Sequence, residues 1–252
     1  MNKDILPDRV TIIGHVCIDH NVIEGERVDS WGSPAMYIAK YLRDVVGINT
    51  HIVAAHGKDF AEYAASVQLT ESAGDFSTLV YQNLVENGHR VRKCFNAENS
   101  PPIEPSPHVQ ALLAGSDICI MASILGNYSA DYTKRVFAHV PETSLKILAP
   151  QGHFRVVHED GIISTQPLQE PKALLPLFDA VAISDEDIED ALNEARRWSE
   201  LAPKTIVVVT QAERGATVFL NGAETQVPTV PIANEDLTSP VGCGDLFVAN
   251  LS

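Results

Sequence analysis

The four residues Gly242, Cys243, Gly244 and Asp245 form the segment of this sequence best suited to chemistry. An apolar run follows them, so we expect a helix N-terminus whose free backbone N–H groups attract an anion. The two glycines let the backbone approach a ligand closely. Asp245 could accept a proton from a hydroxyl while the N–H groups hold a phosphoryl group. As an alternative, this acid only stabilises the helix dipole.

Short apolar or β-branched runs recur along the chain and predict strands that are buried on both faces. They are residues 10–13, 51–55, 117–122, 145–149, 180–183 and 205–209. Stretches with helical spacing of apolar residues lie between several of these runs, at 34–46, 130–139 and 185–201. This alternation predicts an α/β fold with a doubly wound, mostly parallel sheet.

One segment departs from the alternation of strand and helix. Residues 78–85 and 89–95 alternate in polarity around the turn residues 86–88, which predicts a β-hairpin. Both of its faces are partly polar, which favours a lid beside a cleft, although an ordinary edge hairpin also fits the pattern. The proline-rich residues 100–107 predict a stiff connector back to the main domain.

Composition limits the classes of function. The chain has 252 residues, 45% of them apolar, which suits one α/β domain with a sizeable core. Its net charge of −15 disfavours nucleic acid or an anionic membrane as a partner. The first ten residues lack a signal-peptide pattern, and no run approaches the roughly 18 apolar residues of a membrane span. The four cysteines form no Cys-x-x-Cys pair. We therefore expect a soluble, cytoplasmic protein.

Five short motifs occur in order along nearly the whole chain. They are Gly14 with Asp19 after the first strand, the helix start at 31–39, Gly57-Lys58-Asp59, the strand and turn at 207–215, and residues 239–245. In this combination the chain resembles the PfkB carbohydrate kinases, also called the ribokinase family. Residues 149–155 (Ala-Pro-Gln-Gly-His-Phe-Arg) are similar to a motif of the inositol-kinase-like branch, although a plain turn after a strand explains them equally well.

The resemblance implies an ATP-dependent kinase that uses Mg²⁺ and phosphorylates a hydroxyl of a small sugar, cyclitol or nucleoside. It assigns Asp245 as the general base. The backbone amides of Gly242, Cys243 and Gly244 would form the anion hole for the transferred phosphoryl group.

The other roles that the resemblance implies concern binding. Asp19, Gly32 and Ser33 would bind the acceptor, because a carboxylate accepts two hydrogen bonds from neighbouring hydroxyls and a glycine admits a close approach. A turn-forming Asp after a strand is the structural alternative for Asp19. Thr210 and Gly215 match the nucleotide-binding segment of the family.

Departures from the family pattern affect several positions. Ser184 and Asp187 stand where the family has Asn and Glu, so Asp187 would organise Mg²⁺ through water. A capped helix start explains residues 184–187 equally well. Tyr37 stands where ribokinase-like members often carry Asn.

The resemblance also implies a single domain over residues 1–252, with a lid from about 15–33 and 78–95 that could mediate a homodimer. Only seven residues follow Asp245, so family elements that enclose the adenine are expected to be absent after residue 252. The second hypothesis is therefore a catalytically impaired ribokinase-like protein that binds a ligand or partner. A dinucleotide-dependent oxidoreductase is disfavoured because no Gly-x-Gly-x-x-Gly follows the first strand.

Overall fold

Fifteen β-strands and seven α-helices form the regular structure in this computed structural model, which describes residues 7–23, 26–70, 73–86, 89–230 and 242–252. In chain order the strands are β1 (Arg9–Gly14), β2 (Cys17–Ile23), β3 (Glu26–Gly32), β4 (Asn49–Val53), β5 (Gln68–Leu69), β6 (Val80–Glu86), β7 (His89–Phe95), β8 (Ile118–Ala122), β9 (Leu145–Ala149), β10 (Arg155–Val157), β11 (Ile163–Thr165), β12 (Ala180–Ser184), β13 (Ile206–Thr210), β14 (Ala216–Leu220) and β15 (Ala223–Val227). The helices are α1 (Pro34–Tyr41), α2 (Ala61–Ala64), α3 (Pro107–Ala114), α4 (Ala130–Phe137), α5 (Pro171–Leu174), α6 (Ala191–Leu201) and α7 (Cys243–Leu251).

A nine-stranded sheet forms the centre of the fold, in the order β15-β14-β13-β12-β9-β8-β1-β4-β5. The strands from β13 to β5 run parallel, and β14 and β15 are antiparallel additions at one edge. Each of the six apolar runs in the sequence overlaps one of the parallel strands. The predicted α/β fold with a mostly parallel sheet is confirmed.

The central sheet is buried on both faces because successive residues of its strands enter different cores. Ile12, Ile52 and Ile120 are adjacent across β4, β1 and β8 and belong to one apolar cluster, which α1 and α7 cover. Ile13 and Met121 belong to a second cluster, which α3, α4 and α6 cover. Burying a side chain of this size stabilises the fold by roughly 1.5–3 kcal/mol. This two-sided burial explains why the strands are continuous apolar runs in the sequence.

A second sheet of four strands, in the order β3-β2-β6-β7, is here called the small sheet. Strands β2 and β6 are parallel, and each has an antiparallel partner on its outer side. The two strands of the predicted hairpin are present as β6 and β7, while its turn residues 87–88 lie outside the described residues. The segments predicted to form a lid thus meet in one sheet, and its role as a lid stays a prediction.

The predicted helix over 185–201 begins only at Ala191. Before it, the backbone N–H of Ser184 donates to the Asp187 carboxylate at 2.8 Å, and the Glu186 N–H donates to the Ser184 hydroxyl at 3.2 Å. These local bonds hold a turn instead of a helix, because short polar side chains compete for backbone groups. Asp190 has φ of 55°, which separates this turn from α6.

Candidate active site

Asp245 lies in the first turn of α7. Gly242 precedes the helix in a left-handed conformation, with φ of 83°, and its carbonyl accepts the Leu246 N–H at 2.9 Å. The short helix is held by packing: Val248 and Ala249 are buried beside α1, and the Tyr41 hydroxyl donates to Asn250 at 3.0 Å. The preceding motif residues 239–241 lie outside the described residues.

The first turn of α7 fits an anion. Intrahelical carbonyls cannot reach the first N–H groups of a helix, so these groups remain available to a ligand. A Cβ atom built on Gly244 would meet no heavy atom of the described residues within 4 Å, so there is open space beside Gly244. Cys243 is exposed beside it. The geometry around Gly242, Cys243 and Gly244 is therefore compatible with the predicted anion hole, which stays a prediction.

The Asp245 carboxyl titrates far from the ordinary range of an aspartate. Burial, and to a lesser extent the negative charge of Asp187, raise its pKa to about 7 against the opposing positive charge of Arg155. A general base is most effective when its pKa lies near the working pH. Asp245 has the electrostatic character that a base for hydroxyl activation needs.

Asp19 on β2 and Gly32 on β3 are diagonal neighbours, since Gly32 is paired with Cys17 and Asp19 with Ser30. A Cβ atom on Gly32 would lie 2.4–2.5 Å from the carboxyl atoms of Asp19, which is far inside van der Waals contact. The Cys17 thiol donates to Asp19 Oδ1 at 3.4 Å. Only a glycine at position 32 therefore leaves the Asp19 carboxylate where it is.

Ser33 follows Gly32 and caps α1. Its hydroxyl accepts the Met36 N–H at 3.3 Å, its φ is 105°, and the residue is buried. Capping of this kind contributes about 1 kcal/mol to a helix. This structural task uses one of the two acceptor lone pairs of the hydroxyl, which leaves its O–H donor and one lone pair for the predicted contact with a ligand.

Tyr37 lies between Asp19 on β2 and the first turn of α7, which carries Asp245. A Cβ atom on Gly242 would lie 2.8 and 3.0 Å from two ring carbons of Tyr37, so the ring packs on that glycine. Its ring centroid lies 4.9 Å from that of Trp31. Burial and the charges of Asp19 and Asp245 raise the pKa of Tyr37. The phenol is therefore within electrostatic reach of both carboxylates.

Asp187 lies near Asp245, since its charge raises the Asp245 pKa. Its own carboxylate accepts the Ser184 N–H, so the structural explanation of residues 184–187 holds as well. Among the described residues, no group of three or more His, Cys, Asp and Glu side chains is arranged to hold a metal ion. Mg²⁺ is commonly held by one or two carboxylates together with water and substrate phosphates. Asp187 fits such a partial ligand set as one carboxylate, and its role toward Mg²⁺ through water stays a prediction.

Thr210 and Gly215 lie at the turn that joins β13 to β14. Thr210 is paired with Ser184 on the neighbouring strand, at the carboxyl end of both strands, where ligands bind in open α/β sheets. Gly215 has φ of 87°, and a Cβ atom there would lie 2.1 Å from the Val227 carbonyl oxygen. The turn itself thus requires this glycine, and nucleotide binding by these two residues stays a prediction.

Sequence reasoning assigned no role to Arg155, although it closes the motif at 149–155. Its guanidinium lies 5.4 Å from the ring centroid of Tyr81, and it is the positive charge that opposes the rise of the Asp245 pKa. Gly152, the second residue of the helical turn Gln151–Phe154, packs so closely on Leu125 that a Cβ atom would lie 2.5 Å from the Leu125 backbone. The motif was the only sequence feature that pointed to this position.

The model of the pfkB family carbohydrate kinases matches residues 38–252. The chain belongs to the pfkB family of carbohydrate kinases. This match confirms the resemblance that the five motifs indicated. The comparison with curated proteins gives no match.

Solved structures of similar fold come from kinases of the ribokinase family. A pyrophosphate-dependent kinase of this family, in a sulfate complex, has a TM-score of 0.73 at 17% identity, over 95% of this chain and 85% of that chain. Arabidopsis thaliana ribokinase complexed with ribose and ATP has a TM-score of 0.69 at 16% identity, over 97% and 84% of the two chains. The nucleoside kinase of Methanocaldococcus jannaschii has a TM-score of 0.65 at 12% identity, over 96% and 82%. At these identities the likeness shows the fold of this pfkB-family chain.

The described part of this pfkB-family chain contains no helix long and apolar enough to cross a membrane. The compartment and the homodimer through the small sheet stay predictions.

Proposed function

We propose that this pfkB-family chain transfers the γ-phosphate of ATP to a hydroxyl of a small sugar, cyclitol or nucleoside, with Asp245 as the general base. The observation that carries the proposal is the position of the Asp245 carboxyl, whose pKa burial raises to about 7, in the first turn of a helix with open space beside Gly244. That combination provides a proton acceptor beside an anion-binding turn.

The acceptor would be oriented by Asp19. Its carboxylate can accept hydrogen bonds from two neighbouring hydroxyls, and Gly32 leaves room for the carboxylate and for a close ligand. The Tyr37 ring would line the same pocket between Asp19 and Asp245. The carboxylates of Asp19, Asp187 and Asp245 would repel an acceptor that carries a negative charge. A neutral polyol is therefore the proposed class of acceptor.

The transfer would proceed as one in-line displacement. The acceptor oxygen forms a bond to the γ-phosphorus as the bond from that phosphorus to the bridging oxygen breaks, and ADP leaves with the electron pair. The hydroxyl proton goes to Asp245, and the amides of residues 242–244 stabilise the charge on the phosphoryl oxygens. Bound Mg²⁺ would neutralise charge on the phosphates, and Asp187 would hold it through water.

The test is acceptor-dependent consumption of the donor. The purified chain is incubated with ATP and Mg²⁺ and with myo-inositol, ribose or adenosine in turn, ADP is measured against a reaction without acceptor, and the product is identified by phosphorus NMR. We expect ADP formation that requires an acceptor, with one phosphate ester per ADP. A parallel series with pyrophosphate tests the donor that a structural neighbour uses. Equal ADP formation with and without every acceptor would contradict the proposal.

A further inference from the structure

Tyr81 joins the small sheet to the main domain. It lies on β6 directly beside Asp19 on β2, so the two side chains emerge from the same face of the small sheet. The Tyr81 ring is buried in an apolar cluster with Ile124, which follows β8 of the central sheet. The Tyr81 hydroxyl donates to the Ile124 carbonyl at 2.6 Å and accepts a long hydrogen bond of 3.4 Å from Arg155. The bond to Ile124 therefore ties the small sheet to the end of β8 at the register of Asp19.

His15 holds the same residue from the other side. The Ile124 N–H donates to His15 Nδ1 at 3.2 Å, so both backbone polar groups of Ile124 are bonded to side chains. His15 lies between β1 and β2, is 2% exposed, and stacks on the ring of Tyr128 with a centroid distance of 4.6 Å. The Tyr128 hydroxyl in turn donates to the Gly14 carbonyl at 2.6 Å. The three residues His15, Ile124 and Tyr81 are here called the Ile124 clamp.

Hydrogen bonds select one tautomer of His15. Because Nδ1 accepts, the proton lies on Nε2, which donates to Asn127 Oδ1 at 3.0 Å. The Asn127 amide nitrogen donates to the Ser100 carbonyl at 2.8 Å, which directs Oδ1 toward His15. Burial lowers the pKa of His15 to about 3, so the ring is neutral near pH 7 and keeps its acceptor atom. The chain enters the small sheet after His15 and returns to the main domain near Ser100, so one network holds both junctions.

Asp19 and Asp245 belong to different parts of the fold. Asp19 lies on β2 of the small sheet, whereas Asp245 lies on α7, which packs against the central sheet. The distance between the carboxylate that would bind the acceptor and the proposed base therefore depends on how the small sheet sits on the main domain. A displacement of about 1 Å at a reacting group can lower a rate by about 10²-fold.

We propose that His15 and Tyr81 are positioning residues for the transfer reaction. By holding Ile124 from both sides, they fix the small sheet at the register of Asp19 and so set the distance from Asp19 to Asp245. This inference rests on the proposed function. A buried bond from a hydroxyl to a carbonyl suits this task, because its loss leaves the Ile124 carbonyl without the Tyr81 donor in a site that excludes water.

Tyr81→Phe tests the Ile124 clamp from the small sheet, because it removes the hydroxyl and keeps the ring. We expect kcat/KM for the acceptor to fall about tenfold, while ATP affinity in a calorimetric titration stays within about twofold. His15→Phe tests it from the main domain, since the new ring can stack on Tyr128 but accepts no hydrogen bond, and a similar loss is expected. His15→Asn returns an acceptor atom near the position of Nδ1 and should recover most of kcat/KM. In the double variant the two losses should not add, because both side chains act through Ile124.

The matched control is Tyr132→Phe. The Tyr132 hydroxyl donates to the Ile103 carbonyl at 2.8 Å from a buried ring on α4, so this variant loses an equivalent bond outside the Ile124 clamp. It should leave kcat/KM for the acceptor and ATP affinity unchanged. Thermal unfolding of each variant checks that the fold is kept. Equal losses of kcat/KM and ATP affinity in Tyr81→Phe, or the same loss of kcat/KM in Tyr132→Phe, would show general damage and overturn the positioning role.

Amide hydrogen exchange tests the Ile124 clamp without requiring turnover. Tyr81→Phe should speed exchange in β2 and β6 about tenfold and leave β12 and β13 as protected as in the wild-type chain, because only the small sheet loses its hold. If exchange changes in this way but no acceptor supports turnover by the wild-type chain, the Ile124 clamp stands and the proposed kinase activity is wrong. Unchanged exchange in β2 and β6 would overturn the Ile124 clamp, whatever the activity.

Discussion

Replacing Asp245 with Asn is expected to lower kcat by about 10²–10⁴-fold, the range that a general base contributes. Asn keeps the size of the side chain, but its amide cannot take the proton of the acceptor hydroxyl. The Michaelis constant for the acceptor should change much less, since Asp19 supplies the proposed acceptor contacts. Initial rates of acceptor-dependent ADP formation measure both quantities.

The same variant should remain folded and become more stable at neutral pH. Burial raises the Asp245 pKa from its ordinary 3.8 to about 7, so the unfolded chain ionises this group before the folded chain does. The wild-type protein therefore loses stability as pH rises from about 4 to 7, whereas Asp245→Asn does not. We expect a gain of about 4 kcal/mol at pH about 8, since the pKa is raised by about 3 units, and little change at pH about 4. Loss of stability at both pH values would show that Asp245 serves the fold, which would undermine its catalytic assignment.

Replacing Gly32 with Ala is expected to lower kcat/KM for the acceptor by about 10²-fold, the cost of misplacing a reacting group by about 1 Å. The new Cβ would lie 2.4–2.5 Å from the Asp19 carboxyl atoms, so the carboxylate must move. ATP affinity should stay unchanged, because the donor would bind at α7 and at the carboxyl ends of β12 and β13. Steady-state kinetics with the acceptor varied, together with ATP titration, measure the two effects.

Gly47→Ala is the matched control for a lost glycine. Gly47 ends the helical segment after α1 with φ of 83°, and a Cβ there would meet nothing within 4 Å. This control should cost about 1 kcal/mol of stability through its backbone conformation and leave kcat/KM unchanged. Wild-type kcat/KM in Gly32→Ala would show that Asp19 does not orient the acceptor.

The fold was readable from the sequence because a parallel sheet covered on both faces leaves continuous apolar runs, as in β8, which is buried at every residue. The start of α6 was not readable. Residues 185–190 are acidic and suit a helix N-terminus, but the Ser184 and Asp187 side chains bond to the local backbone and hold a turn. The helical spacing of apolar residues does not reveal that these side chains compete with the helix for backbone N–H groups.

The site was readable only in part. The five motifs pointed to Asp19, Gly32 and Asp245. The distances between these residues along the chain do not reveal that Tyr37 lies within electrostatic reach of both Asp19 and Asp245. The pairing of Arg155 with Tyr81 joins residues 74 positions apart through packing of the small sheet on the main domain. Contacts of this kind depend on tertiary structure, and no local pattern predicts them.

The most direct test of the central claim is the pH dependence of kcat/KM for an acceptor that supports turnover, at saturating ATP and Mg²⁺. If Asp245 is the general base, kcat/KM should rise about tenfold per pH unit in the acidic range and level off above pH about 7, while Asp245→Asn retains only a small residual rate without that ionisation. A wild-type profile that is flat between about pH 5.5 and pH 8.5, or an Asp245→Asn variant that keeps the same ionisation, would contradict the account.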